Sequence, residues 1–178
     1  MKSIYKWIAC ILILALIIWQ LSKNKKSFNR VNIQTTNIVS NQTDRNYLDS
    51  IVYVGLNELN LDSVVVTIKD IDGNVKENFN SNLKLKAEII GKARRYFIFL
   101  DEMGRDEAIK VLSHELIHLK QRSDNRYIAN IDNIVWDKKV LDVSEVNSMI
   151  YEERPWEAEA FAKQNELENK IRKVLYSE

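Results

Sequence analysis

The chain holds only two histidines, and both fall in one five-residue string, His114-Glu115-Leu116-Ile117-His118. Residues four apart on an α-helix lie one above the other on the same face, so these two imidazoles can converge on one ion. Glu115 flanks that face, where it can take a proton from a water on the metal. The H-E-x-x-H spacing therefore demands a helix, and the neighbouring residues favour one. No Pro or Gly interrupts Asp106 to Gln121. Ile109, Leu112, Leu116 and Leu119 recur at helical spacing as a stripe to be buried. Val111, His114, Glu115 and His118 form the adjoining stripe, which would face a cleft. Asp106 and Glu107 fall in the first turn and Lys120 and Arg122 in the last, as the helix dipole prefers. Gly104 is the expected start.

A catalytic zinc takes three protein ligands and keeps a fourth position for water. The chain has no third histidine, and its one cysteine, Cys10, lies far away in an apolar run. The third ligand is therefore expected to be a carboxylate, from the segment Tyr151 to Ala162. Pro155 suits the first position of a helix reaching to about Leu175. The apolar stripe of that helix would be Ala160, Phe161, Leu167, Ile171 and Val174. Projected at 3.6 residues per turn, Glu157 lies beside the stripe, while Glu159 falls with Lys163, Glu166 and Lys170 on the opposite, solvated face. Glu157 is the expected ligand. Glu153, in the loop before the proline, is the second candidate. Tyr127, Tyr151 and Arg154 are available as hydrogen-bond donors beside a metal, and none is assigned a role.

These motifs resemble those of the zincin-like, gluzincin-type zinc metallopeptidases. H-E-L-I-H on one helix, with Pro-Trp-Glu opening a later one, is similar to the pattern of thermolysin-like peptidases. The run Glu157, Glu159, Ala160 is similar to the E-x-E-A motif of small bacterial ImmA/IrrE-type peptidases. The resemblance covers about residues 104 to 162. It implies zinc held by His114, His118 and Glu157, Glu115 as general base, and a peptide or protein substrate. It also implies a strand beside the metal-bearing helix that holds extended substrate by added-strand hydrogen bonds, with Lys86 to Gly91 the candidate. The chain departs from both patterns at Phe161. ImmA/IrrE-type proteins usually carry Asn there, and thermolysin-like enzymes carry Asp, so one histidine lacks an assigned orienting partner.

The expected fold class is α+β, a small sheet packed on the H-E-x-x-H helix and the C-terminal helix. A helix is expected over Asn46 to Leu59. Strands are expected over Ser63 to Ile71, Leu83 to Gly91 and Arg95 to Leu100, with a turn at Asp72-Gly73-Asn74. The connection Ser123 to Met149 reads equally as a hairpin walling the cleft or as a loop capped by a buried Trp. With 26 basic and 25 acidic side chains, the net charge of +1 leaves no whole-chain footprint for nucleic acid. One cysteine excludes a disulfide framework.

Residues 7 to 21 are the most apolar run, flanked by Lys2 and Lys6 before it and by Lys23, Lys25 and Lys26 after it, with Trp7 and Trp19 near its ends. Residues 1–22 are read as an N-terminal membrane anchor, a single transmembrane helix. A cleaved signal peptide is the competing reading. Residues 23–45 read as a polar tether and 46–178 as the catalytic domain. Lysines on both sides leave orientation nearly undetermined, and the likeness to a signal anchor tips it toward an extracytoplasmic domain. The expected function is a membrane-anchored zinc-dependent peptidase. A non-catalytic, membrane-anchored binding module that keeps the fold is the alternative.

Overall fold

A computed structural model describes residues 32–35, 45–70 and 87–177. The fold is α+β. Its main sheet has four strands in the order β1-β2-β4-β3, with β1 Asn32–Thr35, β2 Val65–Asp70, β3 Ala87–Lys92 and β4 Arg95–Leu100. The first three in that order run parallel, and β3 closes the sheet antiparallel to β4, from Ala87 opposite Leu100 to Lys92 opposite Arg95. The strand β1 forms inside the stretch read as a tether, where single apolar residues among polar ones carry little strand signal. The expected membrane run at 7–21, the turn at 72–74 and the start of the strand expected from Leu83 lie outside the described residues. Among the described residues, no helix is long and apolar enough to cross a membrane.

Strand alternation sorts the sheet into two faces. Val66, Ile68, Ile89, Tyr96, Ile98 and Leu100 point inward and are buried. Against them pack α1 (Arg45–Glu58) and α2 (Arg105–Ser123), and α4 (Pro155–Tyr176) packs on these two helices. The expected stripe of α2 is the centre of the core. Ile109, Leu112, Leu116 and Leu119 are each fully buried, which favours the fold by roughly 1.5–3 kcal/mol per side chain. Gly104 caps α2 in extended geometry, with Asp106 and Glu107 in its first turn. The stripe foreseen for α4 holds at Ala160, Leu167 and Ile171, but Phe161 and Val174 are 44% and 51% exposed, and Gln164 is buried instead.

The connection after α2 resolves into a second, antiparallel sheet of β5 (Tyr127–Ala129), β6 (Asn133–Trp136) and β7 (Lys139–Asp142), then a short α3 (Val143–Ser148). Asp137 and Lys138 join β6 to β7 with φ of 46° and 70°, the paired positive values of a tight hairpin turn. Leu141, Val146 and Trp156 form a small core of their own, flanked by Tyr127, Ile134 and Trp136. Trp156 thus anchors the first turn of α4 to this sheet.

The approach of α1 to the histidine-bearing helix depends on Gly55. A Cβ there would lie 2.4 Å from Cδ1 of the buried Leu116 and 3.3 Å from Cδ1 of Ile171. Gly55→Val is expected to destabilise the protein by about 1–3 kcal/mol, although valine is the better helix former. Urea unfolding of the two proteins tests this; equal midpoints would mean that the contact is not tight.

Candidate metal centre

His114 and His118 project from adjacent turns of α2, their ring centroids 4.7 Å apart and nearly perpendicular at 82°. Glu157 comes from the first turn of α4. A short 3-10 turn (Tyr151–Glu153) leads into that helix, Arg154 stands at its N-cap and Pro155 at its start. Glu157 is only 6% exposed. Its place in the first turn lets the positive end of the helix favour a carboxylate. Glu153, the second candidate, is exposed on the 3-10 turn and outside the cluster.

His114 Nε2, His118 Nε2 and Glu157 Oε2 form a nearly equilateral triangle with sides of 3.1, 3.2 and 3.2 Å. Two ligands of a tetrahedral ion at about 2.0–2.1 Å are separated by about 3.3–3.4 Å. The triangle is within a few tenths of an ångström of that size.

The protonation states point the same way. His118 Nδ1 lies 2.9 Å from Gln121 Oε1. The amide of Gln121 cannot be turned round, because its Nε2 donates to the Trp156 carbonyl at 3.0 Å and to Glu159 at 3.3 Å. His118 Nδ1 must therefore carry a proton, so that whenever the ring is neutral it is Nε2 that offers a lone pair. His114 Nδ1 faces Gln164 Oε1 at 3.3 Å in the same sense. Three lone pairs then meet at one point, an arrangement that repels unless a cation or a proton sits among them. Burial alone would raise the Glu157 carboxyl, but the two imidazoles outweigh it and hold the group down at about 2. Burial would lower the His118 imidazole, but hydrogen bonding to Glu157 and the charges of Glu115 and Glu157 raise it. The donor set of two nitrogens and one oxygen suits a borderline ion such as zinc.

Gln121 and Gln164 supply the orienting contacts that sequence reasoning left unassigned. Both are buried, at 1% and 5% exposure. Gln121 lies three residues beyond His118 and Gln164 seven beyond Glu157, so helical spacing was the one signal that could have found them. Glu159 also differs from expectation. Instead of lying on a solvated face, its side chain is 16% exposed and accepts hydrogen bonds from Gln121, Arg126 at 2.9 Å and Lys163. Arg126 in turn donates to both oxygens of Asp137 at 2.6 and 2.7 Å. A continuous polar chain thus runs from the His118 ring to the β6–β7 turn. Phe161 packs against His114, ring centroids 4.7 Å apart and tilted by 54°.

The triangle opens on a cleft of about 440 Å³, lined near it by Glu115, His118 and Glu157, with Glu88 of β3, Tyr127 and Tyr151 around them. Glu115 is 7% exposed, and burial raises its carboxyl despite the neighbouring imidazoles. Ile134 and Val146 line the cleft as well, so the connection after α2 walls it and also packs Trp136 near Trp156. No family model, curated protein or solved structure matches this chain.

Two outcomes follow from this geometry. Gln121→Ala is expected to weaken zinc binding by about 10- to 100-fold, the usual effect of removing an orienting partner, and His114→Ala to abolish it. Competition with a chromophoric chelator measures both; undiminished affinity in Gln121→Ala would mean that the amide does not orient the ring. The second outcome concerns pH. Burial first, then the charge of Glu115, pushes the Glu88 carboxyl from 4.5 up to about 7 against the pull of Arg122. A carboxyl raised by folding ionises first in the unfolded chain, so stability present below pH 4.5 is lost as the pH rises through about 7. In a chelator-treated sample, Glu88→Gln should show a smaller drop in Tm between pH 5 and pH 8 than the wild type.

Proposed function

We propose that this chain is a membrane-tethered, zinc-dependent peptidase of zincin-like type. The observation that carries the reading is the triangle of His114, His118 and Glu157 opening on a cleft beside the buried carboxyl of Glu115. A zinc ion held by the three side chains would supply Lewis acidity toward water and toward the scissile carbonyl. Glu115 takes a proton from the attacking water and passes it to the departing amine, so one water is consumed and one amide bond is broken. Gln121 and Gln164 keep both imidazoles in the tautomer that offers Nε2 to the ion.

Substrate placement is supported by β3. It ends the sheet among the described residues, and Ala87, Glu88 and Ile89 line the cleft. The unpaired backbone edge of such a strand can take an extended peptide as one more strand. The proposed tether rests on the apolar run 7–21 with its flanking lysines and tryptophans, and on nothing in the described residues.

Wild-type full-length protein, zinc-loaded in detergent, is expected to hydrolyse a casein-derived peptide pool. Glu115→Gln should bind the same amount of zinc and lose activity by at least about 10²-fold, the lower range for a general base. Mass spectrometry of the digest, with metal analysis of both proteins, makes the test. Equal digestion would remove Glu115 from the chemistry, and stoichiometric zinc without digestion by either protein would favour a binding module.

A further inference from the structure

The cleft contains two cations that the proposed reaction does not use. Arg122 lies one helical turn beyond His118, on the same face of α2, and Arg154 lies three residues before Glu157; both line the cleft. Each guanidinium stacks on a tyrosine, Arg122 with its Cζ 4.7 Å from the Tyr127 ring centroid and Arg154 with its Cζ 5.3 Å from that of Tyr151. Stacking occupies the flat face of a guanidinium and leaves its in-plane donors open. One of those donors in each arginine is unsatisfied. The Nε atoms of both arginines are buried with no hydrogen-bond partner, and neither arginine forms an ion pair among the described residues. Nearly all buried polar groups in folded proteins are paired, so two orphaned cationic donors in one cleft need an explanation.

Glu88 does not provide it. Its carboxyl is near enough to feel Arg122, yet one of its own oxygens is buried without a partner. Burial holds that carboxyl up at about 7, so near neutral pH it is only partly charged and offsets Arg122 incompletely. Tyr127 feels the charges of both arginines, so the two cations act on the same part of the cleft.

We infer that Arg122 and Arg154 are a carboxylate-binding subsite, and that the cleft selects peptides bearing an acidic side chain or a free C-terminal carboxylate close to the bond over the metal centre. The planar fork of arginine matches a carboxylate with two parallel N–H···O bonds. Two such forks, one turn from each of two metal-binding residues, set the anion a short distance from the reacting carbonyl. The inference rests on the peptidase reading for the site, but it concerns binding and is tested apart from turnover.

The test uses full-length, zinc-loaded Glu115→Gln protein, so that bound peptide stays intact. The probes are acetylated hexapeptide pools that carry Glu or Gln at one scanned position, each with a free-acid or an amide C-terminus. Competition against a fluorescent pool member gives relative affinities. One exchange, Glu for Gln or acid for amide, should strengthen binding by about 10- to 100-fold, as expected for a paired, charge-assisted contact. The exchange that matters tells a side-chain carboxylate from a chain terminus. In Arg122→Gln and in Arg154→Gln that ratio should fall towards one, and Arg→Lys should restore part of it, with zinc content unchanged in every variant. Equal affinities for the acidic and neutral pools, no measurable binding, or a preference that survives both Arg→Gln changes would overturn the inference. Turnover of the same pools by the wild type separates the two ideas. An acidic preference without turnover keeps the subsite and removes the peptidase, whereas turnover without preference does the reverse.

Discussion

Three lone pairs held about 3 Å apart are the feature on which the rest of the molecule depends. His114 Nε2, His118 Nε2 and Glu157 Oε2 repel one another unless positive charge sits among them. Two helices must therefore be held at a fixed separation, whether a proton or a cation sits among the three. The apolar stripe of α2 does this, with Leu112, Leu116 and Leu119 fully buried among the sheet, α1 and α4. Gly55 lets α1 come close enough to seat Leu116, the residue between Glu115 and Ile117 in the motif itself. The polar face of α2 is free to face the cleft because its opposite face is so fully committed to the core.

The orienting contacts are amides rather than carboxylates. Gln121 accepts the Nδ1 proton of His118, and Gln164 Oε1 faces Nδ1 of His114, so both rings are contacted there without a further negative charge beside them. A neutral amide makes an imidazole less basic than a carboxylate partner would. Less charge donation would leave a cation bound there a stronger Lewis acid. Gln121 has a second task, since its Nε2 is bonded to the carbonyl of Trp156, next to Glu157. One side chain thus sets the tautomer of His118 and the position of the turn that carries Glu157. Glu159, Arg126 and Asp137 extend this control to the smaller sheet, which also grips the ring of Trp156.

Much of the scaffold was legible in advance. Periodicity marked α1, α2 and α4 to within a residue or two, because each has an apolar face with a period near 3.6 and few breakers. The strands β2 and β4 stood out through Val64 to Ile68 and Tyr96 to Phe99. Short β1 did not, for four residues with one isoleucine have no periodicity to read. The connection after α2 stayed ambiguous because Ile134, Val135 and Trp136 fit a strand or a plug equally well; it forms the strands of the smaller sheet, with Trp136 only half-buried against Trp156. Phe161 misled, since a helical projection sorts residues by angle and cannot tell a core from a neighbouring histidine ring. Glu159 misled for the same reason, its angle being right for solvent until Arg126 arrives from another element.

By itself, the order of residues determined that two imidazoles share a helical face, that a carboxylate flanks them, and that Glu157 opens a later helix beside its apolar stripe. All of these are consequences of a 3.6-residue turn acting over short distances. Only the tertiary structure decided that Glu157 rather than Glu153 meets the histidines, that amides orient them, and that β3 and two unpaired arginines line the same cleft. Those facts depend on contacts between residues tens of positions apart, which chain packing sets and local spacing does not encode.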